Sequence, residues 1–182
     1  MTNIVYFNGK VKDLKKFTNI LTNVKGKLIC CDIDNTLADV NTQLEKTGYD
    51  ITQYPNPVLN QDFWTSYKGL DILIKAQKIK NTCKILDVLE ELGADIFFAT
   101  SRNIRLRELT KKWIEKNGIY NEHTIYFTAS KHILEADVYI EDNPKQISKL
   151  LSLDKPVLIP SWQYNQGFDG ENAIYFNVQK GV

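Results

Sequence analysis

The sequence has few of the features that mark exported or membrane-spanning proteins. Its 182 residues include only three cysteines, Cys30 and Cys31 in an apolar run and Cys83 in an apolar helical pattern. This odd, interior set predicts reduced thiols that pack as small hydrophobic side chains in a cytosolic compartment. No apolar stretch approaches the roughly 18 residues of a membrane span, and the N-terminus lacks the basic-then-apolar order of a signal peptide. We therefore expect a cytoplasmic protein with no membrane partner.

An excess of charge of one sign is also missing. The chain has 23 basic and 22 acidic residues and a formal net charge of +1, so bulk charge does not predict a nucleic-acid partner. Residues 1–27 are a local exception, because they carry six lysines against one acid, Asp13. Lysines commonly cover the solvated face of an amphipathic helix, and this is the interpretation that we adopt here.

What the sequence does contain is an alternation of strand and helix patterns without tandem repeats or low-complexity tracts. Apolar runs predict strands, and 3.6-residue periodicity predicts helices. The predicted strands are 4–7, 28–33, 95–100, 124–127, 137–140, 156–160 and 173–176, and the predicted helices are about 14–24, 79–92, 103–117 and 143–153. This order predicts an α/β fold with a doubly wound, mostly parallel sheet.

The length and the pattern predict one domain with a small insertion. Residues 1–27 form a strand and helix extension, and residues 28–40 and 74–182 form the core. Between the two core ranges, prolines and glycines break the periodicity. We therefore expect residues 41–73, called the inserted segment below, to form a separate lobe.

Polar residues follow several of the predicted strands. Asp32 and Asp34 come after an apolar run, Thr100-Ser101-Arg102 follow the next long strand, and Glu141-Asp142 follow a third, with Lys131 in the turn before it. Doubly wound sheets place their chemistry at the carboxyl ends of the strands, so these side chains are expected in one crevice. Clustered carboxylates repel each other unless a cation lies among them, and oxygen ligands favour Mg²⁺. With a hydroxyl and an ammonium nearby, the pattern predicts a phosphate site.

These residues resemble the four motifs of the haloacid dehalogenase superfamily. The stretch DIDNT (32–36) is similar to its DxDx[TV] signature, and Thr100, Lys131 and the acidic pair match the other three in order, over roughly residues 28–160. The stretches ATSR, SKH before ADVYIEDNP, and VLIPSWQYN are most similar to the 5'(3')-deoxyribonucleotidase branch. The sequence departs from the family in having Glu-Asp where Asp-Asp is usual, and in residues 1–27, which have no counterpart that we can place.

The resemblance implies a HAD-like Rossmannoid fold with a small helical cap inserted after the first motif, and a phosphomonoester hydrolase activity. It implies that Asp32 is a nucleophile that forms an aspartyl-phosphate. Asp34 would protonate the leaving oxygen and then activate water. Lys131 and the hydroxyl of Thr100 would stabilise charge on the phosphoryl oxygens.

The same resemblance implies a Mg²⁺ cofactor. Its ligands would be the Asp32 carboxylate, the Asp34 backbone carbonyl and Asp142. Glu141 would bind a metal water or Lys131 instead of the metal.

The substrate-binding residues are less constrained by the sequence. Phe63 and Trp64 lie in the inserted segment, where they either anchor the segment to the core or stack on a nucleobase. Ser101 and Arg102 lie where an anionic group would bind, although Arg102 could equally form a helix salt bridge. A small cap favours a free nucleotide, and the alternatives are another small phosphomonoester or a nucleic-acid 3'-phosphate end.

Two other classes of protein gather similar residues. Response-regulator receiver domains also place acids, a hydroxyl and a lysine around Mg²⁺, but there the adjacent acidic pair ends the first strand, and here the order is reversed. A noncatalytic phosphate-binding protein is the other alternative, and the complete set of Asp32, Asp34, Lys131 and Asp142 disfavours it. The sequence leaves the oligomeric state open.

Overall fold

The computed structural model describes residues 11–119 and 123–178, so the predicted strand 4–7 lies outside the described residues. The helices are α1 Val11–Thr22, α2 Val40–Lys46, α3 Gln61–Thr65, α4 Tyr67–Lys75, α5 Lys80–Glu91, α6 Arg107–Lys116 and α7 Pro144–Ser152. The strands are β1 Leu28–Asp32, β2 Ala38–Asp39, β3 Gln77–Lys78, β4 Asp95–Thr100, β5 Ile125–Phe127, β6 Val138–Ile140, β7 Val157–Ser161 and β8 Ala173–Asn177. Single 3₁₀ turns occupy Ile104–Leu106, Lys131–Leu134 and Gln163–Asn165.

Six strands form one sheet in the order β5-β4-β1-β6-β7-β8, and every neighbouring pair is parallel. β1 lies inside the sheet and packs on both faces, which explains its apolar sequence. Consecutive residues of β1 point to opposite faces: Cys31 belongs to the larger core with α1, α5 and α6, and Cys30 to the smaller core under α7. The predicted doubly wound, mostly parallel sheet is therefore confirmed.

Helix α1 packs on β8 and is part of the folded core. Phe17 and Val24 are buried, which follows from their helical spacing in the sequence. We expected the lysines of this helix to be solvated, but Lys16 is buried. Its ammonium donates hydrogen bonds to the carbonyl oxygens of Gly170 and Ala173. The α1 region of the N-terminal extension thus secures the loop before β8.

The inserted segment leaves the core after β2 and returns at β3, and these two short strands pair antiparallel. Polar side chains begin its helices: Asp39 caps α2, Asn60 caps α3 and Ser66 caps α4, each by accepting a backbone N–H. α4 passes so close to the end of α3 that a Cβ at Gly69 would lie 2.1 Å from the carbonyl oxygen of Phe63. Only glycine fits at this crossing.

Cys30 and Cys31 are buried, Cys83 is half-buried, and all three are free thiols. Within residues 11–119 and 123–178, no helix is long and apolar enough to cross a membrane.

Candidate active site

The polar ends of β1, β4 and β6 meet at one cavity of about 480 Å³. Eight of the ten residues singled out from the sequence line it: Asp32, Asp34, Trp64, Ser101, Arg102, Lys131, Glu141 and Asp142. Two do not. Thr100 is fully buried, and its hydroxyl oxygen accepts the backbone N–H of Arg102 at 3.1 Å. Phe63 lies among apolar side chains that pack on the larger core.

The DIDNT stretch folds into a tight loop at the end of β1. The carbonyl oxygen of Ile33 accepts the N–H groups of Leu37 at 2.9 Å and Ala38 at 2.7 Å. Asn35 adopts the left-handed conformation, with φ of 58°, which asparagine tolerates better than most residues. Its side-chain oxygen accepts the N–H of Asn41 at 2.8 Å. The loop thereby joins the first motif to the root of the inserted segment.

Lys131 lies between two carboxylates in the buried part of the cavity. Its ammonium contacts Asp32 and donates to Glu141 at 2.6 Å. Burial lowers the pKa of Lys131, but Asp32 and Glu141 raise it by more, so the net shift is upward and the lysine is charged. Burial raises the pKa of Glu141 to about 7 against the opposing effect of Lys131. The backbone N–H of Asn143 also donates to Glu141, at 2.9 Å.

Asp142 is held by the elements around it. Thr36, in the DIDNT loop, contacts one of its carboxylate oxygens at 3.2 Å, and the hydroxyl of Tyr164 donates to the other. The side chain of Asn165 donates to the backbone carbonyl of Asp142 at 3.0 Å. Burial, with the charges of Asp32 and Glu141, raises the pKa of Asp142 well above its usual value.

Asp32, Glu141 and Asp142 fit a divalent cation. One carboxylate oxygen from each lies within 4.8 Å of the others, and all three residues are buried. When ionised they outnumber the single ammonium of Lys131 by two charges, which a buried site tolerates poorly without a cation. Carboxylate oxygens are the ligands that Mg²⁺ prefers. The carboxylate oxygens of Asp32 and Asp142 therefore match Mg²⁺, while Glu141 can act beside them through a metal water or through Lys131.

Arg102 forms an ion pair that the sequence did not indicate. Its guanidinium approaches Asp34 at 2.6 Å through Nη2 and at 3.0 and 3.1 Å through Nε, and its Nη1 donates to the hydroxyl of Thr110 at 3.1 Å. The sequence left a phosphate contact and a helix salt bridge open for Arg102. In the structure its partner on α6 is this hydroxyl, and its ion pair is with Asp34. The arginine is almost completely buried, whereas the Asp34 side chain is 31% exposed to the cavity.

The two aromatic residues of the inserted segment differ in their surroundings. Phe63 packs edge-on against Tyr49 and Trp64, with ring centroids 5.1 and 4.9 Å apart. Trp64 lines the cavity, and its indole N–H donates to the carbonyl oxygen of Leu59 at 3.0 Å. The fixed indole therefore borders the space that a substrate would occupy, while Phe63 supports it from behind.

Our sequence analysis missed Tyr164 and Asn165, which contact Asp142, and Trp162, whose indole N–H donates to the carbonyl oxygen of Asn35 at 2.6 Å. All three lie directly after β7, whose carboxyl end lies at the same edge of the sheet as those of β1 and β6. The stretch SWQYN therefore follows a strand end, as the acidic residues do, and this position could have identified it as part of the site.

The parallel sheet and its acidic edge define a haloacid dehalogenase-like fold. A hydrolase of the haloacid dehalogenase-like family from Streptococcus pneumoniae has this fold, with a TM-score of 0.54 and 16% identity over 84% of this chain and 93% of that one. Residues 16–174 match the model of the family described as 5' nucleotidase, deoxy (pyrimidine), cytosolic type C protein, and the chain belongs to this family. A nucleotidase of Clostridium acetobutylicum is 28% identical over 169 residues, which cover 81% of this chain and 87% of that protein.

Family membership confirms the predicted resemblance and the class of activity. The protein is a phosphatase of the 5'-nucleotidase type and not a receiver domain. The match begins at residue 16, so part of α1 lies inside the family, whereas we expected no counterpart for residues 1–27.

Proposed function

We propose that the protein is a Mg²⁺-dependent 5'(3')-deoxyribonucleotidase that releases phosphate from nucleoside monophosphates through an aspartyl-phosphate on Asp32. The observation that carries the proposal is the convergence of Asp32, Asp34, Lys131 and Asp142 on one cavity. The family and the nucleotidase relative support the class of substrate.

The first step transfers the phosphoryl group to the protein. A carboxylate oxygen of Asp32 forms a bond to phosphorus while the bond from phosphorus to the ester oxygen breaks. Asp34 gives its proton to the departing ester oxygen, which leaves as a nucleoside hydroxyl. In the second step Asp34 takes a proton from water, the water oxygen attacks phosphorus, and the Asp32 carboxylate is released with inorganic phosphate.

The ion pair between Arg102 and Asp34 must change during this cycle. Two guanidinium nitrogens make three contacts with the Asp34 carboxylate, so this side chain can meet the leaving oxygen only when the arginine has turned away. The phosphate of an incoming substrate is a competing acceptor for a guanidinium, which binds such groups through two N–H bonds. We expect Arg102 to exchange Asp34 for the substrate phosphate.

Other residues stabilise charge in the proposed cycle. Lys131 is held against Asp32 and can contact the phosphoryl oxygens that face the nucleophile. A Mg²⁺ ion bound by Asp32, Asp142 and the Asp34 carbonyl would neutralise the repulsion between carboxylate and phosphate. Glu141 would hold Lys131 or a metal water. Thr100 and Ser101 stay predicted phosphate contacts, and the buried Thr100 hydroxyl would act next to the N–H of Arg102.

The size of the cavity supports a small substrate. A volume of about 480 Å³ lies in the range of about 300–1,000 Å³ that is typical of small-molecule sites. The inserted segment contributes Trp64 and several amide side chains to its wall. Another small phosphomonoester is the second candidate, and a nucleic-acid 3'-phosphate end fits a cavity of this size less well.

Removal of the metal is expected to stop catalysis. EDTA should lower phosphate release from nucleoside monophosphates by at least about 100-fold, because neutralisation of the acidic cluster contributes several kcal/mol to the transition state. Excess Mg²⁺ should restore it. The assay is a phosphate-release screen over deoxy and ribo, 5' and 3' monophosphates, with sugar phosphates as controls. Turnover that survives complete chelation would exclude the metal from the mechanism.

Replacement of Trp64 is expected to weaken the preference for nucleotides. If the indole stacks on the base, Trp64→Leu should lower kcat/KM for a nucleoside monophosphate by about 5- to 150-fold. A phosphate ester without a base should lose little. Phe63→Leu is the matched control: it should lower Tm and reduce both activities equally, because Phe63 packs behind the cavity. A uniform loss in Trp64→Leu would contradict the stacking role.

A further inference from the structure

We propose that Tyr164 is a positioning residue for the metal ligand Asp142, and that Tyr54 of the inserted segment, stacked on Tyr164, couples this segment to the metal site. The inference rests on the proposed function, since it assumes that Asp142 binds Mg²⁺.

The direction of the hydrogen bonds at Tyr164 is determined by its partners. The amide nitrogen of Asn41 can only donate, and it approaches the phenolic oxygen at 3.4 Å. The phenolic proton is then available for the carboxylate of Asp142, which accepts it. Tyr164 thus forms a hydrogen-bonded link between Asn41, at the root of the inserted segment, and Asp142 in the acidic cluster.

Thr36 and Tyr164 together determine the orientation of the Asp142 carboxylate. Each of its two oxygens has one of these partners, and the adjacent Asn165 holds the backbone carbonyl of the same residue. A carboxylate oxygen that accepts one hydrogen bond keeps a second lone pair for a metal. The side chain is therefore oriented before a cation arrives, which is the usual contribution of residues that hold metal ligands.

Two aromatic rings in turn hold Tyr164. The ring of Tyr54 lies 5.2 Å away at an interplanar angle of 27°, and the ring of Trp162 lies 6.4 Å away at 7°. Trp162 is anchored in the core through its bond to Asn35. Tyr54 comes from the long loop of the inserted segment, lines the cavity and is 41% exposed. Closure of this loop over Tyr164 and metal binding at Asp142 should therefore favour each other by the same factor.

The direct test measures Mg²⁺ binding by isothermal titration calorimetry without substrate. Tyr164→Phe keeps the ring and removes the hydroxyl, and we expect its Kd for Mg²⁺ to rise by about 10- to 100-fold. Tyr139→Phe is the control, because it also removes a buried tyrosine hydroxyl, one that accepts the N–H of Ala136 at 3.1 Å. It should lower Tm and leave the Kd for Mg²⁺ unchanged.

The coupling to the inserted segment is tested at Tyr54. Tyr54→Leu should raise the Kd for Mg²⁺ by about 2- to 12-fold, which is the effect of losing an aromatic pair. Tyr54→Phe keeps the aromatic ring and should bind Mg²⁺ with the Kd of the wild type. These two variants test the coupling even if Tyr164→Phe does not fold, because Tyr54 is half exposed.

The failures of the two proposals differ. If the wild type binds Mg²⁺, the same Kd in folded Tyr164→Phe would overturn the positioning role, and the same Kd in Tyr54→Leu would overturn the coupling. Either result would leave the proposed mechanism intact. A wild type that binds no Mg²⁺ and still hydrolyses nucleotides would overturn both.

Discussion

Asp32→Asn is expected to lower kcat for nucleoside monophosphates by about 1,000-fold or more, because the amide is a poor nucleophile of nearly the same shape. The fold should persist, since Lys131 keeps its contact with Glu141 and the buried lysine is not left unpaired. Steady-state kinetics and circular dichroism measure the two effects. Acid quenching with labelled substrate should trap phosphoprotein in the wild type and none in the variant.

Asp137→Asn is the matched control for this substitution. Asp137 lies at the opposite end of the same sheet, where it accepts the N–H of Leu28 at 2.9 Å and pairs with Lys27. These contacts lower the pKa of its carboxyl, the backbone hydrogen bond most of all. The variant should lose some stability and keep its turnover. Turnover in Asp32→Asn within tenfold of the wild type would exclude a covalent intermediate on this residue.

The positions of the acidic residues could be predicted because they depend on local pattern and on a general rule of topology. Apolar runs predict the strands that lead to Asp32, Thr100 and Glu141. Parallel strands then bring their carboxyl ends together at one edge of the sheet. The same apolar runs predicted the strands of the parallel sheet. The rule that chemistry lies at the carboxyl ends of parallel strands needs only the positions of the strand ends, so side-chain contacts were not required.

The side-chain contacts could not be predicted for the same reason. Arg102 and Asp34 are 68 residues apart, and Tyr164 and Asp142 are 22 apart, so neither pair leaves a local pattern. Helices α3 and α4 were not predicted individually. They have only five and nine residues and lie among prolines and glycines, so they show little helical periodicity. Their caps, Asn60 and Ser66, were the available signal.

The exposure of Asp34 and the burial of Arg102 bear on how catalysis starts. The guanidinium is secured by Thr110 on α6, while the carboxylate faces the cavity. A buried arginine that loses its carboxylate partner needs another anion, and the substrate phosphate is the one that the reaction brings. In the proposed cycle the arrival of substrate therefore frees Asp34 for proton transfer.

Asp34→Asn is expected to lower kcat/KM for a nucleoside monophosphate by about 100- to 10,000-fold, the usual contribution of a general acid. An activated aryl phosphate should lose far less, because its leaving group departs without a proton. The measured quantity is the ratio of the two losses in one preparation, which does not depend on the fraction of folded enzyme. Arg102→Lys is the companion variant, and it should reduce both activities by similar factors, since both substrates carry the same phosphate. Equal losses for the two substrates in Asp34→Asn would contradict the acid role and would leave the Asp34 side chain as a partner of Arg102.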